Sequence, residues 1–335
     1  MATSDISPGP IVDAILGYQK TAAIKAAIAL GLFTEIAAGT ATAPALAAKT
    51  NTAERGIRIL SDFLTVNGFL TKHGDRYALT PATAAFLDKR SPAYMGSVAD
   101  FLSSPEMTNL FLDDPLSYIR NGGSVGLANM AADNPIWVKF AEAMVPFVGV
   151  SSKGLGEAVA ALPKPPQKVL DIAAGPGLFG IAAAKAAPSA EIVAVDWQIV
   201  LELTKRHAGE AGVGARYRTI TGSAFDVDWG TGYDLVLLPN FLHHFDHDTC
   251  VALLKKILAS LNADGRVMVV EFMPNEDRVS PPFPAAFAFM MIGTTQKGDA
   301  YTERELAAMA RDAGFAKVSA KPLPPSSSTL ITFER

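Results

Sequence analysis

VLDIAAGPGLFG, residues 169–180, reads as an apolar strand that reaches an acid, turns through Gly175-Pro176-Gly177 and enters a helix near Leu178. Glycine is needed where a backbone turns sharply and a ligand must approach with no Cβ in the way. Working outward, KVLDIA, EIVAVD, ARYRTI, YDLVLLPN, GRVMVVEF, AKVSAKPL and TLITFE read as strands, with helices between the first six. That alternation predicts an α/β fold with a mostly parallel sheet covered on both faces. The last two strands are separated only by the PPSSS turn region, which predicts a hairpin and an antiparallel edge strand.

Upstream, Lys164-Pro165-Pro166-Gln167 marks a stop before this unit. From Ile11 to about Ala38 two helices are expected, with Gly31 between them, followed by a short helix at Pro44–Lys49 and another from Ala53 to Val66. FLTKHGDRYALT then gives two short β runs around Gly74-Asp75, so the pattern is that of a winged helix. Residues 85–150 read as helical and rich in Phe, Met, Leu and Trp. The division expected is a winged-helix unit at 1–95 and a ligand-binding unit at 96–335, with a pocket-forming helical segment at about 96–160.

With 49% hydrophobic and 19% charged residues the chain is a folded globular protein rather than a disordered one. A net charge of −4 gives no overall pull toward nucleic acid or anionic membrane. The candidate recognition helix offers only Arg55 and Arg58, offset by Glu54 and Asp62, which favours a dimerisation role over DNA binding. One cysteine, Cys250, rules out an internal disulfide and suits a reducing compartment. MATSDISPGP lacks the basic start of a signal peptide, and the apolar stretches are too short to span a membrane. A cytoplasmic protein is expected.

About 20 residues beyond the glycine loop, the second strand ends in Asp196, placed to accept from the ribose hydroxyls of a nucleoside. Gly175-x-Gly177-x-x-Gly180 is also the dinucleotide fingerprint, so the loop alone does not separate a nicotinamide cofactor from S-adenosylmethionine. Asp171 inside the motif suits a ligand carrying an ammonium and a sulfonium, and no stretch reads as a separate hydride-transfer substrate domain. Both features favour S-adenosylmethionine. Taken with GSAFD at 222–226 and LPNFLHHFDHDTC at 238–250, the chain resembles, over nearly its whole length, the plant and bacterial small-molecule O-methyltransferases with an N-terminal winged-helix dimerisation domain. The resemblance implies a Rossmann-like class I methyltransferase sheet and a homodimer formed through the N-terminal domain. It also implies that Asp171, Gly175 and Gly177 line the methionine end of the cofactor and Asp196 holds the ribose. Trp197 and Ser223-Ala224-Phe225 would flank the adenine, with Asn240 among the cofactor residues. The family usually carries aspartate where Ser223 stands. A hydroxyl accepts more weakly than a carboxylate, and Asp226 is close enough in sequence to compensate.

His243 follows the fourth strand, at the edge of an α/β sheet where ligands bind, and imidazole titrates near neutrality. Methyl transfer to oxygen needs a hydroxyl to lose its proton, which a positioned imidazole can accept as general base. The resemblance places the family's catalytic histidine at His243. Glu271, 28 residues on, would orient it as in other His–acid pairs. The family's second glutamate would fall near Ala300, with Asp299 as the adjacent acid. His243, His244, His247 and Asp248 could form a metal site, but Asp246 or Asp248 more simply caps the next helix, and no metal is expected. Phe283, Phe287, Phe289, Met290 and Met291 make the following segment apolar, partly core and partly wall of a pocket for a flat aromatic acceptor. The rival readings are a C-methyltransferase of the same fold, a nicotinamide-dependent oxidoreductase, and a winged-helix regulator with a degenerate methyltransferase domain.

Overall fold

The computed structural model describes residues 6–126 and 131–335. Residues 1–5, half of the segment read against a signal peptide, lie outside the described residues. So do residues 127–130, within the stretch expected to be helical. The chain divides into two compact units, Met1–Thr108 and Asn109–Arg335.

In the first unit, helices Gly9–Ile15, Gly17–Ala29 and Leu32–Ala37 occupy the region expected to hold two, because the chain breaks again at Leu16. Helices Ala43–Thr50 and Glu54–Val66 follow, then strands β1 (Leu70–His73) and β2 (Arg76–Leu79), paired antiparallel. Gly74 takes φ +62° in the two-residue turn, a backbone conformation open to glycine without strain. The helix Glu54–Val66 buries Ile57 and Leu64 against Leu32, Phe33, Leu46, Leu70 and Tyr77. Asp62 on its other side accepts from Lys72, Tyr77 and Arg58. The winged helix is therefore present.

The second unit holds strands β3 (Lys168–Ile172), β4 (Glu191–Asp196), β5 (Tyr217–Thr221), β6 (Tyr233–Pro239), β7 (Leu261–Glu271), β8 (Lys317–Pro322) and β9 (Thr329–Glu334). They form one sheet in the order β5-β4-β3-β6-β7-β9-β8. The first five are mutually parallel; β9 runs antiparallel to both β7 and β8. The expected hairpin is there, and its reversed strand sits one place in from the edge. Alternation along each strand divides the core in two. Val169, Ile192, Leu235, Leu237 and Val270 face helices Ile136–Ala160 and Leu178–Ala186. Leu170, Val193, Val236, Val269 and Ile331 face helices His247–Ser260 and Glu303–Ala313. Both faces are buried, as a parallel sheet requires.

One expected element is absent. No helix lies between β5 and β6; residues 222–232 make the crossing as turns and extended chain. The crossing starts at the edge strand, passes β4 and β3, and returns to the start of β6. With neighbouring strands about 4.8 Å apart, it must cover roughly 14 Å sideways as well as the length of a strand. A helix rises only about 1.5 Å per residue and would fall short over so few residues, whereas extended chain covers about 3.3 Å per residue.

The reversed strand β9 closes both cores. Ile331→Ala, at a position with no solvent exposure, is expected to cost about 2–5 kcal/mol of unfolding free energy in a denaturant titration. A change below about 0.5 kcal/mol would show that β9 adds nothing to the core.

Candidate active site

The loop after β3 is built around a fully buried carboxylate. Asp171 Oδ2 accepts from the Gly180 backbone N–H at 3.0 Å and from the Tyr217 hydroxyl at 3.3 Å. Asp171 Oδ1 is buried with no partner. Burial, helped by the nearby Asp196 charge, pushes the Asp171 carboxyl up to about 7 against the pull of its two donors. A Cβ at residue 180 would lie 2.1 Å from the Tyr217 hydroxyl oxygen and 2.5 Å from Asp171 Oδ2. The third glycine of the fingerprint therefore lets the helix seat on this carboxylate. Gly175 (φ +54°) and Gly177 (φ +80°) take the left-handed backbone that forms the turn. A Cβ on Gly175 would meet only the Ala173 carbonyl, at 3.9 Å, so the loop faces open space there.

Asp196 ends β4 and receives one loop N–H on each oxygen, from Gly175 at 2.8 Å and Trp197 at 2.7 Å. Burial raises it to about 6, opposed by those two donors. The Trp197 ring packs in a cluster with Trp137, Ala141 and Val200, joining the helix Ile136–Ala160 to this rim.

Ser223 is turned inward on its own chain: its hydroxyl accepts from the Phe225 N–H at 3.1 Å, closing a local turn. Asp226 is exposed. Phe225 packs edge-on to Phe245 at 4.9 Å between ring centroids, and Phe241 stands 4.9 Å from Phe245. The loops after β5 and β6 thus share an aromatic seam. Sequence reading missed what holds the first of them. Lys256, on the helix His247–Ser260, donates to the carbonyls of Ala224, Phe225 and Val227 at 3.0, 3.1 and 2.7 Å. Only the three-dimensional crossing of 222–232 over this helix reveals it.

Beyond β6, Asn240 takes φ +51° and its side-chain Oδ1 is buried without a partner. The next turn carries His243. Glu271, the last residue of β7, accepts on Oε1 from the backbone N–H groups of Phe241, Leu242 and His243 at 3.1, 3.0 and 3.4 Å. Its Oε2 lies 2.5 Å from His243 Nδ1, and both side chains are buried. A proton on Nδ1 in this contact would leave Nε2 as the lone-pair nitrogen. The His244 ring lies 4.3 Å from that of His243, and burial together with His243 holds its pKa well below the usual range. Phe287 meets His243 edge-on at 4.9 Å, backed by Phe272. Phe289 belongs to a separate aromatic group with Phe111 and Tyr118.

Asp299 does not supply a second acid to the imidazole. Its carboxylate bonds Arg278 and the Ala300 N–H, and only its backbone N–H reaches the His243 carbonyl, at 3.0 Å. Gly298 makes that approach possible, since a Cβ there would fall 2.2 Å from the same carbonyl oxygen. Asp246 caps the helix His247–Ser260 by accepting from the Thr249 N–H, and Lys297 holds its carboxyl well below the usual range. His247 turns toward Asp248 and Asp312. Among the described residues, no group of three or more His, Cys, Asp or Glu is placed to hold a metal ion.

Comparison with known proteins follows the same outline. The O-methyltransferase domain family matches residues 113–316, and the O-methyltransferase dimerisation domain matches residues 12–89. A 3-hydroxy-5-methyl-1-naphthoate 3-O-methyltransferase from Streptomyces sahachiroi is 27% identical over 321 residues, covering 93% of this chain and 90% of that one. A solved structure from Nostoc punctiforme, classed as an O-methyltransferase, is 44% identical with a TM-score of 0.93, covering 98% of this chain and 100% of that one. Human N-acetylserotonin methyltransferase, solved with S-adenosylmethionine, has a TM-score of 0.82 at 20% identity, covering 100% of this chain and 99% of that one; at that identity the likeness is one of fold.

The raised Asp171 carboxyl has a consequence for stability. Its folded value of about 7 stands above an unfolded value of about 3.9, so the native state keeps a proton that the unfolded chain has lost. That contribution is whole below pH 4 and drains away as pH rises toward 7. Against Asp171→Asn, which is neutral throughout, the ligand-free wild type should lose stability between about pH 4 and 7 and then level off. Parallel urea-unfolding profiles for the two proteins would show that Asp171 is ionised across the range.

Proposed function

The chain belongs to the O-methyltransferase family, and from that premise we propose that His243 is the general base for methyl transfer to the hydroxyl of an apolar, aromatic small molecule. The observation that carries this reading is the buried contact of His243 Nδ1 with Glu271 Oε2 at 2.5 Å, which leaves Nε2 as the acceptor nitrogen. Family membership sets aside the hydride-transfer and regulator alternatives.

S-adenosylmethionine, the methyl donor of this enzyme class, supplies when bound an electrophilic methyl on a sulfonium. The residues present fit it. Asp171 Oδ1 and Asn240 Oδ1 are buried acceptors that lack a partner, and the Gly175 turn faces open space. Asp171, Gly175 and Gly177 would hold the methionine end, Asp196 the ribose, and Trp197 with Ser223, Ala224 and Phe225 the adenine. Asn240 would border the same site. Asp171 and Asp196 are drawn toward the protonated form by burial, and a cationic ligand favours their ionised form, so binding should strengthen as pH rises through 6 to 7.

His243 Nε2 would accept the acceptor's hydroxyl proton as the oxygen takes the methyl group, giving a methyl ether. Glu271 keeps the imidazole in the required tautomer and stabilises the imidazolium that results. The three N–H groups on its other oxygen hold Glu271 in register. Phe272 and Phe287 form an apolar wall beside the base, suited to a flat ring. Orientation of acceptor against donor supplies much of the remaining rate. The family's second acid has no counterpart on His243, so the single carboxylate Glu271 would carry the orienting role.

The dimerisation domain match supports a homodimer, to which the exposed Ile11, Val12 and Ile15 of the helix Gly9–Ile15 would contribute. The unit at 1–95 would serve assembly, and residues of the 96–160 segment would help to wall the acceptor pocket. No helix among the described residues is long and apolar enough to cross a membrane.

The test is transfer of labelled methyl from S-adenosylmethionine to a panel of naphthols and hydroxynaphthoates. His243→Ala should lower kcat by roughly 10²–10⁴-fold while calorimetric affinity for S-adenosylhomocysteine stays within about twofold. Full turnover by His243→Ala on an acceptor that the wild type methylates would remove the general-base role and favour carbon methylation.

A further inference from the structure

The loop that would flank the adenine is the same one that crosses the sheet without a helix. Residues 222–232 therefore carry backbone carbonyls that no helical ladder satisfies. Three of them, on Ala224, Phe225 and Val227, converge on one ammonium, Lys256 Nζ, at 3.0, 3.1 and 2.7 Å. The match is complete, since an ammonium has three hydrogens to give. The same nitrogen sits 4.0 Å from the centroid of the Trp229 ring, which is buried. Partial burial pulls the Lys256 pKa down, opposed by the charges of Asp226 and Asp228. Lys256 lies on a helix whose Val251, Leu253, Leu254 and Ile257 are locked in the core, so its Cα is a fixed point from which the loop hangs.

Ser223 offers one local contact, its hydroxyl accepting from the Phe225 N–H within the loop itself. We propose that Lys256 is a positioning residue for the adenine end of the cofactor site: it fixes the backbone of residues 224–227 and thereby the loop's selectivity for the adenine base. This rests on the reading above that Ser223, Ala224 and Phe225 flank the adenine. Lys256 acts through the loop and touches no reacting atom. Its role replaces, by backbone rigidity, part of the specificity that a carboxylate at 223 would give by direct acceptance.

The test uses the full-length protein and two probes, S-adenosylhomocysteine and S-inosylhomocysteine, which differ at the position of the adenine amino group. Titration calorimetry gives both affinities, with thermal unfolding as the check on folding. Wild type is expected to prefer the adenosyl compound. Lys256→Met should bind it about tenfold more weakly and lose most of the preference, since hydrogen bonds to a charged group are worth about that much. Lys256→Arg, which keeps the charge and donors, should recover both; should Lys256→Met not fold, Lys256→Gln takes its place. Wild-type affinity and preference in Lys256→Met would overturn the proposal. Equal weakening toward both probes with the preference intact would also overturn it, by showing a structural role alone. Failure of the wild type itself to bind either probe would bring down the site reading on which the proposal stands.

Discussion

Acids at the carboxyl ends of parallel strands organise the site. Asp171 near the end of β3, Asp196 at the end of β4 and Glu271 at the end of β7 each accept backbone N–H groups from the loops or first helical turn that follow the strands on the same edge of the sheet. Parallel strands force those loops onto one rim, where their N–H groups have no ladder to join. A carboxylate at the strand end answers this with a strong acceptor, because bonds to a charged group are roughly twice as strong as neutral ones. The cost is burial of charge, visible in the raised values at Asp171 and Asp196. Glu271, with three N–H donors on one oxygen and an imidazole on the other, is the most fully matched of the three.

Around these anchors, close backbone approach does what side chains cannot. Gly180 seats a helix on Asp171 and Tyr217, and Gly298 brings a distant segment onto the His243 carbonyl. In each case a methyl group would collide with an atom already fixed by hydrogen bonding. Tyr301 adds a hydroxyl on the Phe245 carbonyl, so the turn that carries His243 is held from the strand side by Glu271 and from the far side by 298–301. An imidazole gripped this way has little freedom left to lose, which is what an orienting scaffold provides.

The aromatic residues divide by the same logic. Phe225, Phe241 and Phe245 join two loops to each other. Phe272, Phe283 and Phe287 stand along the chain beyond Glu271, with Phe287 against the His243 ring. Phe111, Tyr118 and Phe289 pack together. Thus, of the three aromatic residues on the helix Pro282–Thr294, Phe283 and Phe287 join Phe272 and Phe289 joins Phe111 and Tyr118, a division that helical spacing alone does not assign.

The pairing of His243 with Glu271 was legible through the family resemblance, and the strand series, the glycine turn and the winged helix through local pattern, alternation and turn chemistry. Three things were not. The missing helix at 222–232 follows from where β5 lies in the sheet, a fact of strand order that no local window contains. Lys256 reads in sequence as one more lysine on an amphipathic helix, and becomes a loop anchor only once the crossing passes over it. Asp299 stands beside the expected position of an acid, yet its carboxylate is taken by Arg278, 21 residues away, so its side chain serves an ion pair and its backbone N–H reaches the His243 carbonyl. Sequence by itself determined the fold and the acids that end the strands, since those depend on residue type and short-range periodicity, and its motifs carried the likeness to a family that gave the enzyme class. Tertiary structure alone decided which donors reach each acid and which lysine holds the crossing at 222–232, because those depend on the separation in space of groups far apart along the chain.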